Sequence, residues 1–135
     1  NLSAATIRNC HVRVDTDRVP AVLVKSPEAG VDADGPVELR NVSVEGAADE
    51  EAAIDVADRS NCTIEGACIR QNGQNRDGIK TQNVGGRVSD ALIAVRGRPL
   101  AFENSTVATA DVSVDRTPER LSEVARDRCR LGGGR

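Results

Sequence analysis

Few residues in this chain are equipped for chemistry, and they concentrate in one stretch. Gln71, Asn72, Gly73, Gln74, Asn75, Arg76 and Asp77 form the longest polar run, followed closely by Lys80 and Gln82. Together with Asp55, Arg70 and Glu103 they supply carboxylates that can act as acid or base and cations that can meet an acidic ligand. Nucleophilic triads are excluded by composition, because His11 is the only histidine and lies far from that run in sequence. Cys10, Cys62, Cys68 and Cys129 match no paired zinc spacing and read as structural thiols. No metal site and no cofactor follow from these residue types.

Composition narrows the partners. The 135 residues carry 18 basic and 21 acidic side chains, a net charge of −3, so the field mildly repels phosphate and a nucleic-acid partner is not expected. No apolar run approaches the roughly 18 to 20 residues that span a bilayer, and no signal peptide is visible. Phe102 is the single aromatic residue, so Val, Ile, Leu, Ala and Cys must fill the core. Such a set favours stacked columns of similar side chains over a single irregular core.

The elements that position these residues emerge from an internal repeat. An Asn or Asp followed by alternating apolar residues recurs at Asn9, Asn41, Asn61, Asp90 and Asp111, separated by 32, 20, 29 and 21 residues. Between these copies lie short apolar strands, AVLVKS from Ala21, AIDVAD from Ala53, GIKTQN from Gly78 and PLAFEN from Pro99. Each coil then holds three strands, with alternation pointing Cys10, Val12, Val42, Val44, Cys62, Ile64, Ala91, Ile93, Val112 and Val114 inward. Asn and Asp suit sharp corners because they tolerate a left-handed backbone and bond locally. Stacked on successive coils they form a ladder, with Asn83 and Asn104 in a shorter second one. Thr117, Pro118 and Glu119 read as the start of a short helix running into Gly132, Gly133 and Gly134.

The expected fold is therefore all-β, a parallel solenoid of about five coils over residues 1–116, with a C-terminal helix and Gly-rich tail over 117–135. The repeat resembles the right-handed parallel β-helix proteins of the pectate-lyase-like superfold, particularly surface and secreted members. The resemblance spans about Ala4 to Asp115. It implies an extracellular or cell-surface location and a structural or polysaccharide-binding role, with an acidic polysaccharide as partner. A carbohydrate-active enzyme is the alternative, with Ca²⁺ only if the reaction is a lyase elimination.

In that superfold, active sites lie along the outer face of the first strand and its entering loops. The matching outward column runs Leu23, Asp55, Lys80 and Ala101, with Lys25, Ala57, Gln82 and Glu103 alongside. The candidate groove comprises Asp55, Arg70, Asn75, Arg76, Asp77, Lys80, Gln82 and Glu103. The segment DGIKTQNVGG is similar to the R-I-K-T stretch of polygalacturonases at Ile79, Lys80, Thr81 and Gly85. That family's adjacent Asp pair, Asn-Thr-Asp unit and Ser-His-Gly unit are absent. Asn-x-Ser/Thr triplets at Asn1, Asn41, Asn61 and Asn104 are what corner residues followed by outward hydroxyls produce.

Overall fold

A computed structural model of the chain describes residues 5–25 and 36–115. Eight strands follow one another there, with no helix among the described residues: β1 (Ala5–Arg13), β2 (Val22–Val24), β3 (Val37–Gly46), β4 (Ala52–Glu65), β5 (Cys68–Gln71), β6 (Asp77–Val95), β7 (Leu100–Glu103) and β8 (Thr106–Asp115). The helix and tail expected over 117–135, and the boundary at 116, lie outside the described residues.

Every strand pairing is parallel, and partners are never adjacent in sequence order without a turn of the chain between them. β1 pairs with β3, β2 with β4, β3 with β4 and β5, and β6 with β4, β5, β7 and β8. That is a β-solenoid. The first face stacks Val22, Ile54, Ile79 and Leu100 in register. A second face stacks Ala5, Val37, Cys62, Gly86 and Val107. The third face carries Val12, Val44, Ile69, Ile93 and Val114.

One core runs along the axis, made of Leu39, Val42, Val44, Ile54, Val56, Ile64, Ile69, Ile79 and Ile93, all fully buried. Burying each such side chain contributes about 1.5–3 kcal/mol. Strand alternation sets this pattern, as in β3, where buried and half-buried positions alternate on either side of the corner at Asn41. Residue partners lie 32 apart between β1 and β3, 25 between β3 and β5, 24 between β5 and β6, and 21 between β6 and β8. The uneven coil length expected from the sequence is thus real.

The corners account for the left-handed residues. Asn9, Asn41, Asp90 and Asp111 have φ of 52°, 54°, 51° and 54°, and Asn41 Nδ2 donates to Asn9 Oδ1 at 3.1 Å. A second stack of Asp58, Asn83 and Asn104, with φ of 57°, 57° and 47°, turns the first face into the second. There Asn83 Nδ2 donates to Asp58 Oδ1 at 3.1 Å. Asn83 and Asn104 thus share a left-handed corner stack, as expected, but the ladder bond of that stack runs from Asn83 to Asp58, a member not expected from the sequence.

Asn61 is not a corner. The fifth member of the main stack is Gly66, with φ of 72°, while Asn61 is an exposed residue within β4, at a register shift between Arg59 and Cys62. A Cβ on Gly66 would lie 2.6 Å from Asn41 Oδ1, so a side chain there would require the Asn41 amide to shift. This moves the inward columns. Cys62 stacks on Val37 rather than beneath Cys10 and Val42.

The number of coils is also lower than expected, about three rather than five. Five corners bound only four turns, and the turn from Asn9 to Asn41 passes through residues 26–35, outside the described ones. The complete turns run Asn41 to Gly66, Gly66 to Asp90 and Asp90 to Asp111.

Cys62 is a buried thiol that burial pushes up to about 11. Cys10 is a free thiol but exposed, and among the described residues β1 pairs with β3 alone. Cys68 is disulfide-bonded, where a free thiol was expected.

These assignments separate two asparagines in similar sequence contexts. Asn41→Leu, which strains a left-handed corner and removes the ladder bond, should cost about 1–3 kcal/mol. Asn61→Leu, at an exposed strand position, should stay within about 0.5 kcal/mol of the parent. Denaturant titrations of both variants give the comparison, and equal losses would restore Asn61 to the corner stack.

Candidate functional site

Parallel pairing brings four of the eight candidate groove residues onto the first face. Leu23, Asp55, Lys80 and Ala101 stack in register, and Ala57, Gln82 and Glu103 form the neighbouring column. The alternation of β4 and β6 makes this placement inevitable once Ile54 and Ile79 point inward. Gln82 and Glu103 are exposed and Lys80 is half-buried. Asp55 is only 7% exposed, and that burial raises its carboxyl pKa against the opposing attraction of Lys80 and Lys25.

Asn75, Arg76 and Asp77 sit elsewhere, in the corner between the third and first faces, and each binds another part of the solenoid. Arg76 is wholly buried. Its Nε donates to Gln71 Oε1 at 2.8 Å and its Nη1 to the Glu50 carbonyl at 2.9 Å. Gln71, also wholly buried, reaches the Val14 carbonyl through Nε2 at 3.4 Å. Arg76 and Gln71 therefore link three successive coils from the inside. Burial lowers the guanidinium pKa, opposed by Glu51, Asp17 and Asp49, and Nη2 has no hydrogen-bond partner. An Arg so placed presents nothing to a ligand outside, and its expected role in the groove is corrected on that ground.

Asp77, through its carboxylate, and Asn75, through its backbone amide, add further links between coils. The Asp77 carboxylate accepts from the Arg98 backbone amide at 2.7 Å and from Arg98 Nη2 at 3.1 Å, joining its coil to the following one. Asn75 N donates to Asp49 Oδ1 at 2.6 Å, joining its coil to the preceding one. Gln71, Gly73 and Arg76 of the polar run are packed down, while Asn72, Gln74 and Asn75 are exposed. A Cβ on Gly73 would lie 2.1 Å from the Ala48 carbonyl oxygen, which only so close an approach explains.

Arg70 belongs to the third face, where it stands in register with Glu45 and, one coil further, Arg13. These three, with Gly46, Ala47 and Asn72, line a half-open cavity of about 200 Å³. Glu45 Oε1 is 3.0 Å from His11 Nε2 and 3.9 Å from Arg13 Nη1. Arg13 Nε also donates to Asp15 Oδ2 at 2.8 Å. That contact and the Ala47 amide hold the Asp15 carboxyl below its ordinary range. Sequence reasoning missed this cavity because its walls come from three coils. The available signal was the outward parity of Arg13, Glu45 and Arg70 on the strand that follows each main corner.

Compared with protein-family models, curated proteins and solved structures, the chain matches none. The side chains themselves must carry any functional argument. Among the described residues, no three of His, Cys, Asp or Glu converge into a group that could hold a metal ion. No helix there is long and apolar enough to cross a membrane. What remains is two modest outward features: the Asp55–Lys80 column on the first face and the zwitterionic cavity on the third.

The two cations of the expected groove should now behave differently. Arg76→Ala opens a cavity and removes two charge-assisted hydrogen bonds, with an expected loss of about 2–4 kcal/mol. Lys80→Ala removes a partly exposed neighbour of Asp55 and should cost about 0–1 kcal/mol. Thermal or urea unfolding of the two single variants gives the comparison, and a near-neutral Arg76→Ala would contradict the buried linkage.

Proposed function

We propose that the chain is a structural β-solenoid module, of the right-handed pectate-lyase-like type, in a surface or secreted protein. One observation carries this reading: Arg76 and Asp77, at the centre of the chain's longest polar run, are spent in joining coil to coil rather than turned to a ligand. Arg76 and Gln71 do so from within, and Asp77–Arg98 and Asn75–Asp49 from the corner. The flanks repeat the theme in Arg8–Glu38, Arg18–Glu50 and Arg40–Glu65, every one an ion pair across adjacent coils. An exposed pair contributes only about 0–1 kcal/mol. Their recurrence on successive coils is what favours a spacer whose surface chemistry serves its own cohesion.

A second reading is favoured by the third-face cavity. Arg13 and Arg70 stand on either side of Glu45 at the cavity rim, and a carboxylated sugar would bind there by competing with carboxylates such as Asp15 for guanidinium groups, the chemistry by which an acidic polysaccharide is held. No aromatic side chain is available there for sugar stacking, so the attachment would be ionic and weakened by salt.

An array of acidic and neutral glycans separates the readings, using the whole chain and its Arg13→Ala/Arg70→Ala variant. The structural reading predicts no retained glycan from either protein. Retention of an acidic glycan by the parent, lost in the double variant and lost with added salt, would overturn it in favour of the polysaccharide-binding reading.

A further inference from the structure

Of the four Asn-x-Ser/Thr triplets, the one at Asn1 lies outside the described residues, and the corner requirement accounts for two of the others. Asn41 and Asn104 both hold left-handed turns, with φ of 54° and 47°. Asn41 is also tied into the main ladder, its Nδ2 donating to Asn9 Oδ1. Asn61 has no such reason to be an asparagine. It takes no left-handed turn, and its side chain makes no hydrogen bond among the described residues. Asparagine is disfavoured inside a strand, so this side chain brings the fold no benefit.

The local backbone turns Asn61 outward. β4 and β6 are in register at Arg59 and Val84, and again at Cys62 and Gly86. Between those pairs β4 has two residues, Ser60 and Asn61, where β6 has only Gly85. Two residues against one make a β-bulge, a device that re-aims a side chain. Ser60 and Asn61 are both exposed. Gly85 has no side chain to overhang them, and a Cβ there would lie 2.9 Å from the Ser60 carbonyl oxygen. Past the bulge, Cys62 is buried and Thr63 is half-buried on the opposite side of the strand. The Asn61 amide and the Thr63 hydroxyl, the two groups by which such a triplet is read, therefore stand together on the outside of the second face.

We infer that Asn61 is an N-glycosylation acceptor, with Thr63 as the hydroxyl residue of its triplet. The site rests on the surface or secreted location proposed above. Its donor is an oligosaccharide carried on a lipid diphosphate. Asn61 Nδ2 attacks the anomeric carbon of that donor, and a bond forms from the nitrogen to this carbon. The bond from the carbon to the diphosphate oxygen breaks, the lipid diphosphate leaves, and a base of the transferase takes the amide proton. Modification at Asn61 leaves both corner stacks and the axial core untouched. At Asn41 the modified nitrogen would be the one that donates to Asn9.

Trypsin places the three triplets on separate peptides, Asn41–Arg59, Ser60–Arg70 and Gly97–Arg116. The test is mass spectrometry of the whole protein, taken from the surface or culture fraction of the cells that make it, then reduced and digested. Ser60–Arg70 should carry a carbohydrate mass that peptide-N-glycosidase removes, leaving an aspartate in place of the asparagine. Asn41–Arg59 should be bare. Asn61→Gln and Thr63→Val should each abolish the added mass, the second while keeping the acceptor amide. An unmodified Ser60–Arg70 in exported protein would overturn the site and leave the location standing. Protein confined to the cell interior would overturn the location, and the site with it. Carbohydrate that persists on the peptide of the Asn61→Gln variant would also overturn the assignment.

Discussion

One backbone constraint governs the whole molecule: at each main corner a single residue must turn the strand with positive φ while leaving both flanking strands in register with the coil below. Asn9, Asn41, Gly66, Asp90 and Asp111 all meet it. A left-handed conformation is costly for most side chains, and Asn, Asp and Gly bear it best. With the corner fixed, period-two alternation decides which side chains enter the axis, and the aliphatic columns follow. Shifting a corner by one residue would turn an entire strand inside out. The ladder bonds are individually modest, but the left-handed turn at these positions is not optional.

Much of this was legible in the sequence, because corner and alternation are both local signals. The first-face register, with Leu23, Asp55, Lys80 and Ala101 in one outward column, follows from aligning four short apolar segments and is what the structure contains. Asn61 was misleading because the segment N-C-T-I copies the corner pattern of N-V-S-V at Asn41. The true corner at Gly66 has no side chain to announce it. Only the tertiary fact that Asn41 Oδ1 occupies the space above Gly66 decides between them.

The candidate site was less legible for a different reason. A polar run in a sequence looks like a solvated loop, yet between coils of a solenoid polar groups are needed to satisfy the neighbouring backbone. Arg76 shows this most clearly, since its guanidinium reaches the Glu50 carbonyl and the Gln71 amide rather than solvent. Arg70 was grouped with it by proximity in sequence, although the corner separates them onto different faces. The third-face cavity had the opposite problem. Arg13, Glu45 and Arg70 are distant in sequence and become neighbours only when coils of 32 and 25 residues are stacked.

The account rests on the corner at Gly66, because every coil register after Asn41 is counted from it. Backbone NOEs in a uniformly labelled sample test that register directly. Cross-strand contacts between the backbone protons of Val37 and Cys62, and between those of Val44 and Ile69, are predicted by the parallel pairing described above. Contacts between Val42 and Cys62 in their place would put the corner back at Asn61 and contradict the account.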